Sequence, residues 1–219
     1  MNDVSSGVPE PDKASSFLRQ LARRRGSTAP EECCELCSNG LGEVHQHLLD
    51  SKTRQIICAC DGCAILFCGQ SGAHYLRVPR HIRRFADFQI TDLQWEALMI
   101  PINLAFFCRN TAAGRMLAMY PSPAGATESL LSLESWQEIV DLNPEIETME
   151  LDVEALLVNR VGDRAEYFLV PIDECYRLVG LIRMHWRGLS GGTEVWKEIH
   201  QFFAGLKTRS VEVRETAHA

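Results

Sequence analysis

Apolar positions change their spacing near residue 80. Between 31 and 80 they fall in short β-prone runs at 54–60, 64–68 and 74–79, set among cysteines and glycines, a texture of small hairpins with few helix signals. Beyond 82 the elements lengthen. A helix is predicted over 92–99, where Thr91 and Gln94 have capping-box spacing. Strands follow at 102–109 and 115–120 around a turn at 110–114. A helix capped by Ser132 then runs to 141, with Leu133, Trp136, Ile139 and Val140 facing inward and Asn143-Pro144 ending it. A second hairpin is read at 154–161 and 166–170, joined through Gly162 and Asp163. Two helices close the pattern, 172–186 and 194–206, hinged at Gly188, Gly191 and Gly192. In the latter, Trp196, Ile199, Phe202, Phe203 and Leu206 recur at helical spacing and read as a buried stripe.

These elements predict an α+β fold: a small rubredoxin-like or zinc-ribbon β module over 31–80, then a mixed domain of β-hairpins packed with helices over 81–209. Residues 1–30 read as a mobile leader with one short helix at 15–25, and residues 210–219 as a flexible tail. The module has too little apolar content for a core of its own. Bound metal is therefore expected to supply much of its folding free energy.

With 219 residues, 46% of them hydrophobic, the chain can bury a sizeable core. Its nine cysteines are an odd number in a chain that needs no staples, which fits a reducing compartment better than a disulfide scaffold. Residues 1–30 are polar apart from Phe17, Leu18 and Leu21, with Arg23, Arg24 and Arg25 after them, and do not read as a signal peptide. The apolar stretch 98–108 is broken by Pro101 and Asn103 and is shorter than the roughly 20 residues of a membrane span. A cytoplasmic protein without membrane insertion is expected. The net charge of −7 argues against a general nucleic-acid binder, whose affinity comes largely from neutralising phosphates. Charge is uneven, however: Arg77, Arg80, His81, Arg83 and Arg84 cluster, while 138–154 is rich in acids and contains no Lys or Arg.

The most specific chemistry lies in Cys34, Cys37, Cys60 and Cys63, two Cys-x2-Cys pairs. Each pair can present two thiolates from one tight turn, and two such turns close a tetrahedron around a metal ion. Cys58 and Cys33 are alternatives that break the repeated spacing. His45 and His47, two apart, would share one face of a strand, and either is chemically able to replace a thiolate. Zinc is the expected ion, with iron as the alternative. Rubredoxin knuckles usually place Gly after the second Cys, where this chain has Ser38 and Ala64.

Elsewhere the chemistry is sparse. Arg183, His185 and Arg187 precede a glycine turn and a new helix, a pattern that suits an anion or an ordinary helix connection. The irregular stretch 120–128 reads as a contact loop or a rigid crossover. Cys108 and Cys175 sit on apolar elements as core thiols, and Ser122 and His185 have no evident catalytic partners, so no enzyme is expected.

The motifs Cys34-Glu-Leu-Cys37, His45-Gln-His-Leu-Leu-Asp50, Cys58-Ala-Cys-Asp-Gly-Cys63, Tyr120-Pro-Ser-Pro-Ala-Gly-Ala-Thr-Glu128 and Asp173-Glu-Cys-Tyr-Arg-Leu-Val-Gly180 occur together. In this combination, over about residues 33–207, the chain resembles an uncharacterised family encoded beside actinobacterial-type nickel-iron hydrogenase genes. The resemblance implies a non-enzymatic accessory or maturation protein that binds a hydrogenase subunit or a maturation factor. Its rivals are a rubredoxin-like electron carrier with iron and a zinc-ribbon regulator of nucleic acid.

Overall fold

A computed structural model describes residues 32–213 except 71, 130–132, 163–164 and 189–190. The predicted leader with its helix at 15–25, the Ser132 cap and the Asp163 turn position lie outside the described residues. A three-stranded antiparallel sheet holds β1 (Gln46–Asp50), β2 (Ile56–Ala59) and β3 (Tyr75–Arg77) in the order β2-β1-β3. A seven-stranded sheet follows, built from β4 (Arg83–Phe85), β5 (Leu104–Asn110), β6 (Arg115–Ser122), β7 (Gly125–Ser129), β8 (Glu154–Asn159), β9 (Glu166–Pro171) and β10 (Val211–Val213). Its order is β10-β4-β9-β8-β5-β6-β7, antiparallel except where β10 runs beside β4. The described helices are α1 (Asp61–Phe67), α2 (Asp92–Ala97), α3 (Leu133–Leu142), α4 (Ile172–His185) and α5 (Gly192–Arg209), with a 3-10 turn at Pro144–Thr148. The α+β class is as the sequence predicts.

The large sheet is buried on both faces, and the period-two alternation of its central strands explains why. Leu104, Phe106, Cys108, Leu157, Phe168 and Val170 point to one face and pack against α4 and α5. Their neighbours Ala105, Phe107, Leu156, Val158, Tyr167 and Leu169 point to the other, against Trp95 of α2 and Trp136, Ile139 and Val140 of α3. The expected stripe on α5 supplies Ile199, Phe202, Phe203 and Leu206 to the first face, while Trp196, read as part of it, is exposed. Thr91 and Gln94 make the predicted capping box at α2.

Three local expectations are corrected. The β-prone run 64–68 lies mostly in α1: Cys60 caps this helix, its sulfur accepting the Cys63 N–H, and that local bond outweighs the strand preference of Ile65 and Phe67. The stretch 120–128 is not a loop but the end of β6 and most of β7. Ser122 Oγ accepts from Ala124 N–H and donates to the Gly125 carbonyl, and Gly125 takes φ +130°, which closes a two-residue turn. The predicted tail begins as β10, because Val211 and its neighbours find the open edge of β4.

The small sheet shares its packing with the large one. Leu48 faces Cys34, Ala59, Cys63 and Ala64. Its neighbour Leu49 points the opposite way and joins Val78 and Ile82 in the core beneath α4 and α5. Polar ties reinforce this docking. Arg54 Nη1 meets Asp152 Oδ1 at 2.5 Å, and the same oxygen accepts from the Thr111 N–H at 3.0 Å. Asp152 is buried and holds φ +69°, a left-handed conformation that Asp tolerates better than most residues. Replacing Asp152 by Ala should lower stability by about 3 kcal/mol, the order expected when one partner of a buried ion pair is removed. Asp152→Asn keeps an acceptor for Thr111 and should lose clearly less; urea unfolding curves of the two variants test this, and equal losses would contradict it.

Candidate metal centre

Four cysteines meet where three local structures converge. Cys34 and Cys37 sit on a tight turn closed by Ser38 N–H donating to the Cys34 carbonyl at 2.7 Å and Cys34 N–H donating to the Asn39 carbonyl at 2.8 Å. Ser38 takes φ +61°, the left-handed conformation for which a glycine is usual. Glu35 fastens this knuckle to β2 twice, its N–H donating to the Cys58 carbonyl and its carboxylate accepting the Cys58 N–H. The β1–β2 hairpin then carries the chain back, and Cys60 and Cys63 lie at the cap and first turn of α1. The arrangement is therefore knuckle, hairpin and helix, with the second pair on a helix terminus.

All four ligand atoms lie within 4.8 Å of one another. Cys37 Sγ and Cys60 Sγ are 3.7 Å apart, far beyond a disulfide bond. Sulfurs arranged tetrahedrally about an ion at roughly 2.3 Å stand about 3.8 Å apart, so the residues present fit a tetrathiolate ion. Cys34 and Cys63 are buried while Cys37 is exposed, which places the site at the module surface.

The electrostatics point the same way. Burial opposes ionisation of Cys34, but N–H groups of Cys60, Leu36 and Cys37 together with the Cys37 side chain bring it down to about 6. Cys63 is pushed up to about 12, first by burial and then by the neighbouring thiols of Cys37, Cys60 and Cys34. One thiolate forms readily and Cys63 resists joining it. A divalent cation removes that resistance, because it stabilises every thiolate at once.

A family model described as a family of unknown function, DUF5947, matches residues 33–210, a span that includes the whole quartet. The chain belongs to that family. No curated protein and no solved structure matches it.

The alternative ligands fall outside the quartet. Cys33 is exposed on the bridge to Gly40. Cys58 lies on β2, where alternation turns it away from the Ala59 face that looks into the module. Cys58, His45 and His47 instead form a group of their own. A third group, His81, Glu150 and Glu154, is accounted for by ion pairing: the fully buried Glu154 carboxylate meets Arg83 and His81 at 3.2 and 3.1 Å. Nothing in the sequence spacing announces that buried acid. Arg84 is engaged with Glu212, so two of the clustered arginines serve the fold.

Cys108, Cys175 and Gly191 resolve into packing. Cys108 and Cys175 are buried thiols, Cys108 pushed up to about 11 and Cys175 well above its ordinary value by burial. In the glycine turn before α5, a Cβ at Gly191 would meet Val195 at 2.9 Å and Trp186 at 3.1 Å, so close helix packing explains this glycine. No helix among the described residues is long and apolar enough to cross a membrane.

Cys37→Ala should abolish stoichiometric metal at the quartet, whereas Cys33→Ala should retain it, as read by elemental analysis. Affinity should also fall with falling pH, because Cys63 surrenders a proton on binding throughout the neutral range. Below about 6 Cys34 is protonated as well, so the fall should steepen there. Competition with a chromophoric chelator between pH 5 and 8 measures the slope; a pH-independent affinity would contradict ligation by thiolates.

Proposed function

We propose that the chain is a non-enzymatic accessory protein whose tetrathiolate zinc site holds a docking surface for a nickel-iron hydrogenase subunit or a maturation factor. The observation that carries the docking reading is α1. This helix is too short to be stable alone, and its buried residues are Cys63 and Ala64, the first of them a member of the quartet. Ile65, Leu66 and Phe67 on it are 70, 68 and 47% exposed, with Val44 also outward. Large apolar side chains held beside the quartet and left open to solvent suit a protein partner better than solvent. The choice of a hydrogenase partner rests on the family resemblance of the motifs over 33–207.

Zinc is favoured because the second cysteine pair lies on a helix start, not on a second rubredoxin-type knuckle, and Ser38 and Ala64 stand where such knuckles carry glycine. The site then has a closed shell and a structural role. Arg77 and Arg80 are exposed beside the small sheet and extend the proposed contact surface.

Tagged protein drawn from a hydrogenase-expressing host should recover a hydrogenase polypeptide, and the double variant Ile65→Glu, Leu66→Glu should reduce recovery about tenfold or more, equivalent to about 1.4 kcal/mol. Recovery of no hydrogenase polypeptide would count against the role. Red protein containing iron would transfer the site to electron carriage instead.

A further inference from the structure

The strands between the two cysteine pairs place a second set of ligands on their other face. His47 and Cys58 are directly opposed across β1 and β2, and His45 precedes His47 by two, so the three side chains share the face turned towards α4. The imidazoles of His45 and His47 lie with ring centres 5.0 Å apart. One ligand atom from each of His45, His47 and Cys58 lies within 4.8 Å of the others.

The hydrogen bonds of the two imidazoles are arranged alike. His47 Nδ1 is 2.6 Å from Asp173 Oδ2 at the start of α4. His45 Nδ1 is 3.0 Å from the Gly42 carbonyl and 3.6 Å from Glu32 Oε2. An acceptor at Nδ1 fixes the proton there and leaves Nε2 with an available lone pair, the tautomer a metal-bound histidine needs. His45 Nε2 is buried and has no hydrogen-bond partner, on a side chain only 8% exposed. A buried ring nitrogen left without a partner is costly, and a cation supplies what it lacks.

We propose that His45, His47 and Cys58 form a second transition-metal site, distinct from the tetrathiolate quartet, with Asp173 as the carboxylate that orients His47. Two imidazoles and one thiolate are a ligand set for zinc or a neighbouring divalent ion. The ligand atoms draw together from within 4.8 Å to the roughly 3.3–3.7 Å that a tetrahedral ion requires. Three protein ligands leave the fourth position open. The adjoining cleft of about 240 Å³, lined by His45, His47, Arg80, Asp173, Glu174 and Arg209 among others, can fill it with water or an anionic group. The site is thus exchangeable where the quartet is closed. Cys58, His47 and Asp173 also have the composition of a thiol, base and orienting acid, but that arrangement leaves His45 without a role, and the metal does not.

Cobalt(II) added to the reduced, metal-free full-length protein tests the site, because thiolate-to-cobalt absorption reports each thiolate-containing site. The wild type should take up two equivalents. His45→Ala should take up one, keeping the four-thiolate band that certifies a folded module. Asp173→Asn should keep that band and bind its second equivalent about 10–100-fold more weakly. Saturation of the wild type at one equivalent, two tight equivalents in His45→Ala, or an Asp173→Asn variant with unchanged second-site affinity would each overturn the proposal. Should His45→Ala lose both equivalents, the Asp173→Asn affinity decides.

Discussion

Four sulfurs held within 4.8 Å cannot all carry charge in a partly buried site unless a cation joins them. That constraint organises the first third of the described chain. It adds to the burial that pushes Cys63 up to about 12, and it explains why a seven-residue helix with only Cys63 and Ala64 buried holds its place. The small interior that accompanies the quartet consists of Leu48, Ala59 and Ala64, with partly buried neighbours such as Leu36 and Tyr75. Such an interior is too small to stabilise fifty residues on its own.

The hairpin between the two cysteine pairs works on both of its faces. Leu48 turns to the sulfurs and Leu49 to the main core, so the period of two along β1 couples the quartet to the packing of α4 and α5. Arg54 and Asp152 tie the turn of the hairpin to the large sheet, and His47 and Asp173 tie its opposite end to α4. A change at the quartet can therefore reach the large sheet and α4 through β1, β2 and two polar ties.

Much of this is legible in the sequence for identifiable reasons. The spacing of the cysteine pairs is local chemistry, and it indicates the quartet that the structure brings together. The Thr91-Gln94 capping box and the stripe on α5 are likewise short-range signals, and both occur where they are read except that Trp196 of the stripe is exposed. The helical start at Cys60 is hidden because Ile65, Leu66 and Phe67 have strand preference, and only a sulfur in the capping position reveals the alternative. The β6–β7 hairpin is hidden by Pro121 and Pro123, which read as breakers although Pro121 sits opposite Ala126 in the ladder. Contacts between distant segments leave no sequence trace: Asp173 reaching His47, Asp152 reaching Arg54, and Glu154 gathering Arg83 and His81 all depend on strand order.

The claim beneath the rest is that four sulfurs and no other protein atoms surround one ion at the knuckle and helix. X-ray absorption at the metal edge of the purified His45→Ala protein addresses it directly, since this variant leaves the quartet as the loaded site. A single shell of four sulfurs at about 2.3 Å is the predicted result. A shell containing nitrogen or oxygen, or protein that folds fully without any metal, would contradict the account.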